Sequence, residues 1–451
     1  MTAWFKRFTG RVAVGLLAAV AIVTPAQAFP VLSTTPSGQR AAYDDQRRSI
    51  EMGRFKVTPS LGYALNYTDN VFYENHHTRE DLYHQWTPGL RVDYDSSRPG
   101  VYANFGYIGD LAYYDDLDDN DWQRHGGFAG LGYETPGGLY LKLDERFVWS
   151  EDPFGSFNEY NQSNQFGLGA KTRRWSNAAK LTLGYRFGDR WFAEGTGRHY
   201  LLRYDHDADE WLDRTDTGYG AGLFYRLTPR TSLFGFYSRI DTVYDRQNDG
   251  VVDPGDPTIA GDAVAWTSTT SQDNHQNRYG VGVRVDPGGK LDGELRVGYG
   301  DMTFANTRDP LSRGYEDWGG LFVSALAYYR PTARTFLALN LQHAPMGSPD
   351  ADAALFVNTL AELTLRQEIT QRLSVGLAGR WSYDDYQDEV PGAEHKYFNA
   401  YRLAARLDWA LRPWLSAGLE YAYETKTASH SDYAVSEYAV NSAALTIRIN
   451  Y

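Results

Sequence analysis

From Arg54 onward, apolar side chains recur at every second position rather than every third or fourth. Between Tyr397 and Leu411 the odd positions are Tyr397, Asn399, Tyr401, Leu403, Ala405, Leu407, Trp409 and Leu411, while Arg402, Arg406 and Asp408 fall on even ones. Successive side chains of a strand point to opposite faces, so this stretch predicts a strand with one apolar and one charged face. The division repeats along the chain. Leu139, Leu141, Leu143 and Phe147 oppose Lys142, Asp144 and Arg146, and Leu181, Leu183, Tyr185 and Phe187 oppose Lys180, Thr182 and Arg186. Leu291, Leu295 and Val297 oppose Asp292, Glu294 and Arg296, and Leu373, Val375 and Leu377 oppose Ser374 and Arg380.

A soluble sandwich alternates too, but its strands are short. Those predicted here run to about 10–14 residues, which suits a tilted membrane strand of roughly 9–11 residues better than the 5–6 common in globular sheets. Connections also alternate in length. Eight tight turns fall at 96–100, 135–138, 188–190, 228–230, 287–290, 331–334, 370–372 and 412–414. Nine longer polar segments lie between them, at 71–81, 115–122, 150–162, 205–214, 245–274, 305–313, 346–353, 384–395 and 428–436. Short turns on one rim and long loops on the other are the pattern of an outer-membrane barrel. The fold predicted for 55–451 is therefore all-β: a single, monomeric, transmembrane antiparallel up-and-down β-barrel of 18 strands, with 16 as the alternative count. Splitting 163–187 at Trp175–Asn177 would give 19 strands and put the chain ends on opposite rims, so it is read as one long strand or a loop extension.

Residues 1–28 follow a different rule. Lys6, Arg7 and Arg11 precede an apolar run, Val12 to Val23, and Ala26-Gln27-Ala28 offers small residues for cleavage. This predicts a cleaved secretory signal peptide, because the run is too short to span a bilayer. Residues 29–54 read as a periplasmic tail, with one short helix over 41–53. The expected location is the outer membrane of a Gram-negative cell.

Composition narrows the function. The chain has 451 residues, no cysteine, 15% aromatics, 44 glycines and a net charge of -13. Its mean hydropathy of -0.52 does not suit a bundle of membrane helices. The acidic balance argues against a nucleic-acid partner, since phosphate binding needs a basic surface. Without cysteine there is no disulfide framework, thiolate metal site or thiol catalysis.

Three short stretches resemble a known family. Thr58-Pro59-Ser60-Leu61-Gly62-Tyr63, the corner Tyr67-Thr68-Asp69-Asn70-Val71-Phe72, and Thr87-Pro88-Gly89-Leu90-Arg91 look like the opening of the putative β-barrel porin 2 family. The resemblance implies one large barrel over roughly 55–451. It also implies a link to exopolysaccharide synthesis and export, because members often sit beside such genes. It carries over no catalytic residue.

The residues agree on that last point. No G-x-S-x-G, H-E-x-x-H or P-loop occurs, and His199 and His343 have no sequence-visible partner, so no catalytic, cofactor or metal residue is predicted. Asp245 to Asp256 roughly follows a calcium-loop spacing, but Gln247 and Asp256 depart from it, and it is read as a solvated acidic loop, like Asp115–Asp119 and Asp205–Asp213.

The candidate site is the charged strand face. Arg91, Lys142, Arg146, Arg186, Arg226, Arg284, Arg296, Glu294, Glu362, Arg366, Arg380, Arg402, Arg406, Asp408 and Glu420 are predicted to point inward. They either line a hydrated pore or brace the wall as salt bridges, and one residue can do both. Tyr185, Trp191, Tyr225, Tyr328, Trp409 and Trp414 are expected in an interfacial girdle. Three functions fit: a conduit for exopolysaccharide export, a general diffusion porin for small solutes, or a closed barrel serving as adhesin or scaffold. Expected partners are outer-membrane lipid and lipopolysaccharide, the barrel-assembly machinery and, through the resemblance, polysaccharide and periplasmic export components.

Leu445, Ile447, Ile449 and Tyr451 alternate with Thr446, Arg448 and Asn450, and this terminal apolar set is read as an assembly signal. Tyr451→Ala should lower the level of protein in the outer membrane while leaving the detergent-refolded form heat-modifiable on gels. A normal level in cells would refute the signal, and failed refolding would move the role of Tyr451 to the fold itself.

Overall fold

The computed structural model describes residues 49–96, 100–151, 171, 173–205, 213–244, 273–305, 317–348, 355–387, 395–430 and 437–450. The segments 1–28 and 245–256 discussed above, and Tyr451, lie outside the described residues.

A short arm, β1 (Ile50–Met52), precedes eighteen long strands. They are β2 (Phe55–Thr68), β3 (Asp81–Asp95), β4 (Val101–Tyr114), β5 (Trp122–Glu134), β6 (Leu139–Ser150), β7 (Arg174–Phe187), β8 (Trp191–Tyr204), β9 (Arg214–Arg226) and β10 (Thr231–Tyr244). There follow β11 (Asn274–Val285), β12 (Leu291–Phe304), β13 (Trp318–Thr332), β14 (Thr335–Gly347), β15 (Leu355–Glu368), β16 (Leu373–Gln387), β17 (Tyr397–Arg412), β18 (Leu415–Ala428) and β19 (Tyr438–Asn450). Each long strand pairs antiparallel with its neighbours in sequence, and β19 closes the ring on β2, from Ser442 opposite Thr68 to Asn450 opposite Ser60. The fold is a closed 18-stranded antiparallel β-barrel. The predicted alternation of eight short and nine long connections holds, and 174–187 is one strand.

The helix expected over 41–53 does not extend to 50–52. Those residues pair with Phe55–Val57 in a hairpin turned at Gly53, where φ is +66°. An isolated helical turn is marginal in water, whereas the first barrel strand offers a ready row of backbone partners.

The outer surface follows from the period of two. Leu61, Leu90, Leu141, Leu181, Leu223, Val281, Leu363, Leu403 and Leu445 are exposed and belong to the lipid-facing set. Tyr185, Trp191, Trp409 and Trp414 are exposed at the short-turn rim, and Tyr225 packs at a tilt against Trp191 with centroids 4.9 Å apart, so these five form part of a girdle. Tyr328 does not join them. It is buried on the inner face, stacked on Phe336, and the exposed girdle residue is its neighbour Tyr329. Two adjacent tyrosines hide which one has the outward parity unless the register is known.

The inner wall is built from rings laid over bare backbone. Phe192, Phe224, Phe234 and Gly282 occupy one cross-strand row on β8 to β11. Phe192 stacks on Phe224 at 4.4 Å and Phe224 on Phe234 at 4.6 Å, while the Phe234 ring lies over Gly282. Tyr140 covers Gly184, and Tyr102 covers Gly132, in the same way.

One hairpin leaves the wall. Pairing of β13 with β14 ends at Val323–His343, whereas β14 stays paired with β15 up to Gly347–Leu355. Pro345 sits where β14 parts from β13, and proline is tolerated at such an edge because it has no N–H to leave unpaired. Leu355 and Val357 carry the outward parity yet are buried against Met302 and Phe304 of the β12 inner face. A Cβ at Gly347 would lie 3.4 Å from Tyr244 Oη. The end of β14–β15 therefore folds into the lumen on the long-loop side, its nominal outer face packed on the inner face of the nearby strand β12.

The ring-over-glycine packing makes a contrast measurable. A Cβ at Gly282 would meet the Phe234 ring and, at 2.6 Å, the Leu295 carbonyl oxygen, whereas Gly197 has nothing within 4 Å. Gly282→Val should cost about 1–3 kcal/mol through overpacking, seen as a lower temperature for loss of the compact gel form. Gly197→Val should be close to neutral. Equal losses at the two positions would contradict this account of the wall.

Candidate functional site: the charged inner wall

The strand register puts all fifteen charged residues singled out from the sequence on one face. Arg91 lies on β3, Lys142 and Arg146 on β6, Arg186 on β7, Arg226 on β9, Arg284 on β11, and Glu294 and Arg296 on β12. Glu362 and Arg366 lie on β15, Arg380 on β16, Arg402, Arg406 and Asp408 on β17, and Glu420 on β18. Each has the parity opposite to the exposed apolar residues of its strand, so all point to the inside of the ring.

On the β6–β12 wall they form a continuous network. Arg284 donates from Nη1 and Nη2 to the two carboxylate oxygens of Glu194, at 2.8 and 2.9 Å, and from Nε to Glu294 at 2.5 Å. Tyr140 Oη donates to Glu194 at 2.5 Å, and Arg296 closes the chain on Glu294. Tyr140 reaches Glu194 across Gly184, because a position without a side chain lets a long one lie flat, and Arg284 reaches it over the Phe224 ring. The guanidinium of Arg284 lies 4.3 Å from the Phe224 centroid, and Arg296 lies 5.3 Å from that of Phe234. Arginine is thus held between a carboxylate and an aromatic face, an arrangement its flat, weakly hydrated head suits. Burial of these charges is tolerable only because each is paired.

The other wall is looser. Arg91 binds Asp93 through Nε and Nη2, at 2.7 and 2.8 Å. Arg406 bridges Asp408 and Glu420, at 2.8 and 3.2 Å, beside bare Gly418. Glu362, Arg380, Arg402 and Glu424 follow one another across β15 to β18. Arg186 stands at the short-turn rim, paired with Glu134. At the same rim, burial pushes the Asp286 carboxyl above its usual range, against the pull of Arg284 and Arg226.

Sequence reading missed several inner residues. Glu194, Arg198 and Arg278 belong to the same face, as do Phe192, Phe224, Phe234, Phe236 and Phe322. Their signal was present: in Trp191-Phe192-Ala193-Glu194, parity places Phe192 with the glutamate, not with the tryptophan. On β6 to β12 the inner face carries eleven arginines and lysines against five carboxylates, so a basic wall sits inside an acidic chain.

A cavity lies beneath the infolded hairpin. Arg198, Arg214, Asp216, Arg278, Asn274 and Gln276 line it from β8, β9 and β11, and Pro345 to Gly347 roof it. No group of three or more candidate metal ligands occurs among the described residues.

The corner motif seals the ring. Asp69 accepts from the Asn441 backbone N–H and side-chain amide, both at 2.7 Å. Asn70 is buried, donates to Glu74 and Ala439 carbonyls, and accepts from the Glu74 N–H. These two residues tie the first long loop to the closing strand.

No curated protein matches this chain. Solved structures similar to it include the FrpB iron transporter of Neisseria meningitidis (F3-3 variant), at 11% identity and TM-score 0.42, covering 83% of this chain and 63% of that one. The chain thus spans less than two thirds of that transporter. The outer membrane protein OpdK of Pseudomonas aeruginosa matches at 11% identity and TM-score 0.41, covering 88% and 99%. The siderophore receptor PirA of Acinetobacter baumannii matches at 8% identity and TM-score 0.42, covering 88% and 80%. The family model described as putative beta-barrel porin 2 matches residues 46–451, and the chain, an outer-membrane β-barrel of porin type, belongs to that family.

Proposed function

We propose that this barrel is a passive conduit for hydrated, sugar-like cargo, serving exopolysaccharide export. The observation that carries the conduit reading is the inner wall: charge of both signs faces inward from strand after strand, as weak multi-site binding during conduction requires. The polymer as cargo rests on the family resemblance. In this reading a signal peptide is removed on export from a Gram-negative cytoplasm and the assembly machinery inserts the barrel. Lipopolysaccharide surrounds the girdle, and periplasmic export components hand over the glycan at the short-turn rim.

The infolded end of β14–β15 favours a second reading, a porin for small solutes, because it narrows the lumen on the long-loop side. A reading as a closed scaffold has only this narrowing behind it.

Three measurements separate them. The refolded barrel should conduct ions across planar bilayers. Leu355→Ser, which weakens the packing on Met302 and Phe304, should raise that conductance. Deletion of the gene should reduce surface polysaccharide. Absence of current in both proteins would leave the scaffold, and unchanged polysaccharide with normal current would leave the small-solute porin.

A further inference from the structure

We propose that the cavity under the β14–β15 hairpin is a binding site for a hydroxylated monocarboxylate, the chemistry of an acidic sugar. This rests on the conduit reading and narrows its cargo. Among the described lining residues, the guanidiniums of Arg198, Arg214 and Arg278 converge on the cavity with one carboxylate, Asp216. Asp216 lies 3.7 Å from Arg214. Arg278 is buried and contacts neutral groups: it donates to Gln276 Oε1 at 2.7 Å and lies 5.0 Å from the Phe322 centroid. Its Nε has no hydrogen-bond partner among the described residues, and neither does Asp216 Oδ1. A guanidinium withdrawn from water costs several kcal/mol unless an anion or a full set of acceptors replaces the solvent. The cavity therefore favours a guest that brings negative charge to the arginine fork.

The remaining lining sets the class of anion. Asp216 would repel a doubly charged phosphate but can accept from a hydroxyl. Asn274 and Gln276 add amide groups that can donate or accept. One carboxylate among several hydroxyls satisfies this mixture, and a neutral sugar brings no charge to the Arg278 guanidinium. Pro345 to Gly347 close the top, so the site lies under the infolded hairpin on the long-loop side and would select what passes.

The test is calorimetric titration of the detergent-refolded barrel with D-glucuronate, D-glucose and inorganic phosphate, with bilayer conductance measured in parallel. Glucuronate should bind and glucose should not, and binding should weaken as sodium chloride rises. Arg278→Gln should weaken it by about tenfold or more, the loss expected for one charge-assisted hydrogen bond. Glucuronate binding no better than glucose would overturn the site, and phosphate binding without glucuronate would overturn the carboxylate class. If Arg278→Gln does not refold, the glucuronate–glucose difference and the salt dependence of the unaltered barrel decide. A barrel that binds glucuronate without conducting keeps the site and loses the conduit. One that conducts without preferring glucuronate loses the site alone.

Discussion

A sheet exposed to lipid cannot have a free edge, because every unpaired backbone group there costs several kcal/mol. The rest of this protein can be derived from that constraint. It forces β19 onto β2, and closure in turn fixes an inside and an outside for each residue. The Asp69 and Asn70 side chains reinforce the seam where β19 ends its pairing, supplying hydrogen bonds that the ladder itself does not. Where the pairing of β13 with β14 lapses, above Val323–His343, the end of β14 is turned into the lumen. The freed edge of β14 there meets protein and water instead of lipid.

Closure also explains why the inner wall is so rich in glycine. Long charged side chains pointing into a ring crowd one another, and a buried charge without a partner is costly. Bare positions at Gly184, Gly222 and Gly282 remove the crowding and let tyrosine and phenylalanine lie along the wall. The same layer that braces the barrel also presents cations toward the lumen.

The sequence carried the strand count and the rims because its period of two is nearly unbroken and its turns alternate in length. The parity of all fifteen charged residues was readable for the same reason. What escaped it depends on pairs far apart in the chain. Leu355 and Val357 look lipid-facing by parity, and only the lost β13–β14 pairing shows that they face inward across the lumen. Phe192 and Phe224 share the inner parity of Glu194 and Arg226, but only their cross-strand register shows them stacked beneath arginine. The convergence of Arg198, Arg214 and Arg278 needs three strands placed side by side, which no local pattern encodes.

One feature of the topology bears on how the molecule comes to exist. All long-strand pairings but one join neighbours in sequence, so each new hairpin can dock on the last with only a short loop to close. The exception spans almost the whole domain: Asp69 and Asn441 are 372 residues apart. Contact order is therefore low along the wall and concentrated in a single event. Until that event the growing sheet keeps two open edges, and anything that delays ring closure leaves both available to another chain. Substitutions at Asp69 or Asn70 should then act on the yield of assembled barrels more than on the durability of those that have closed.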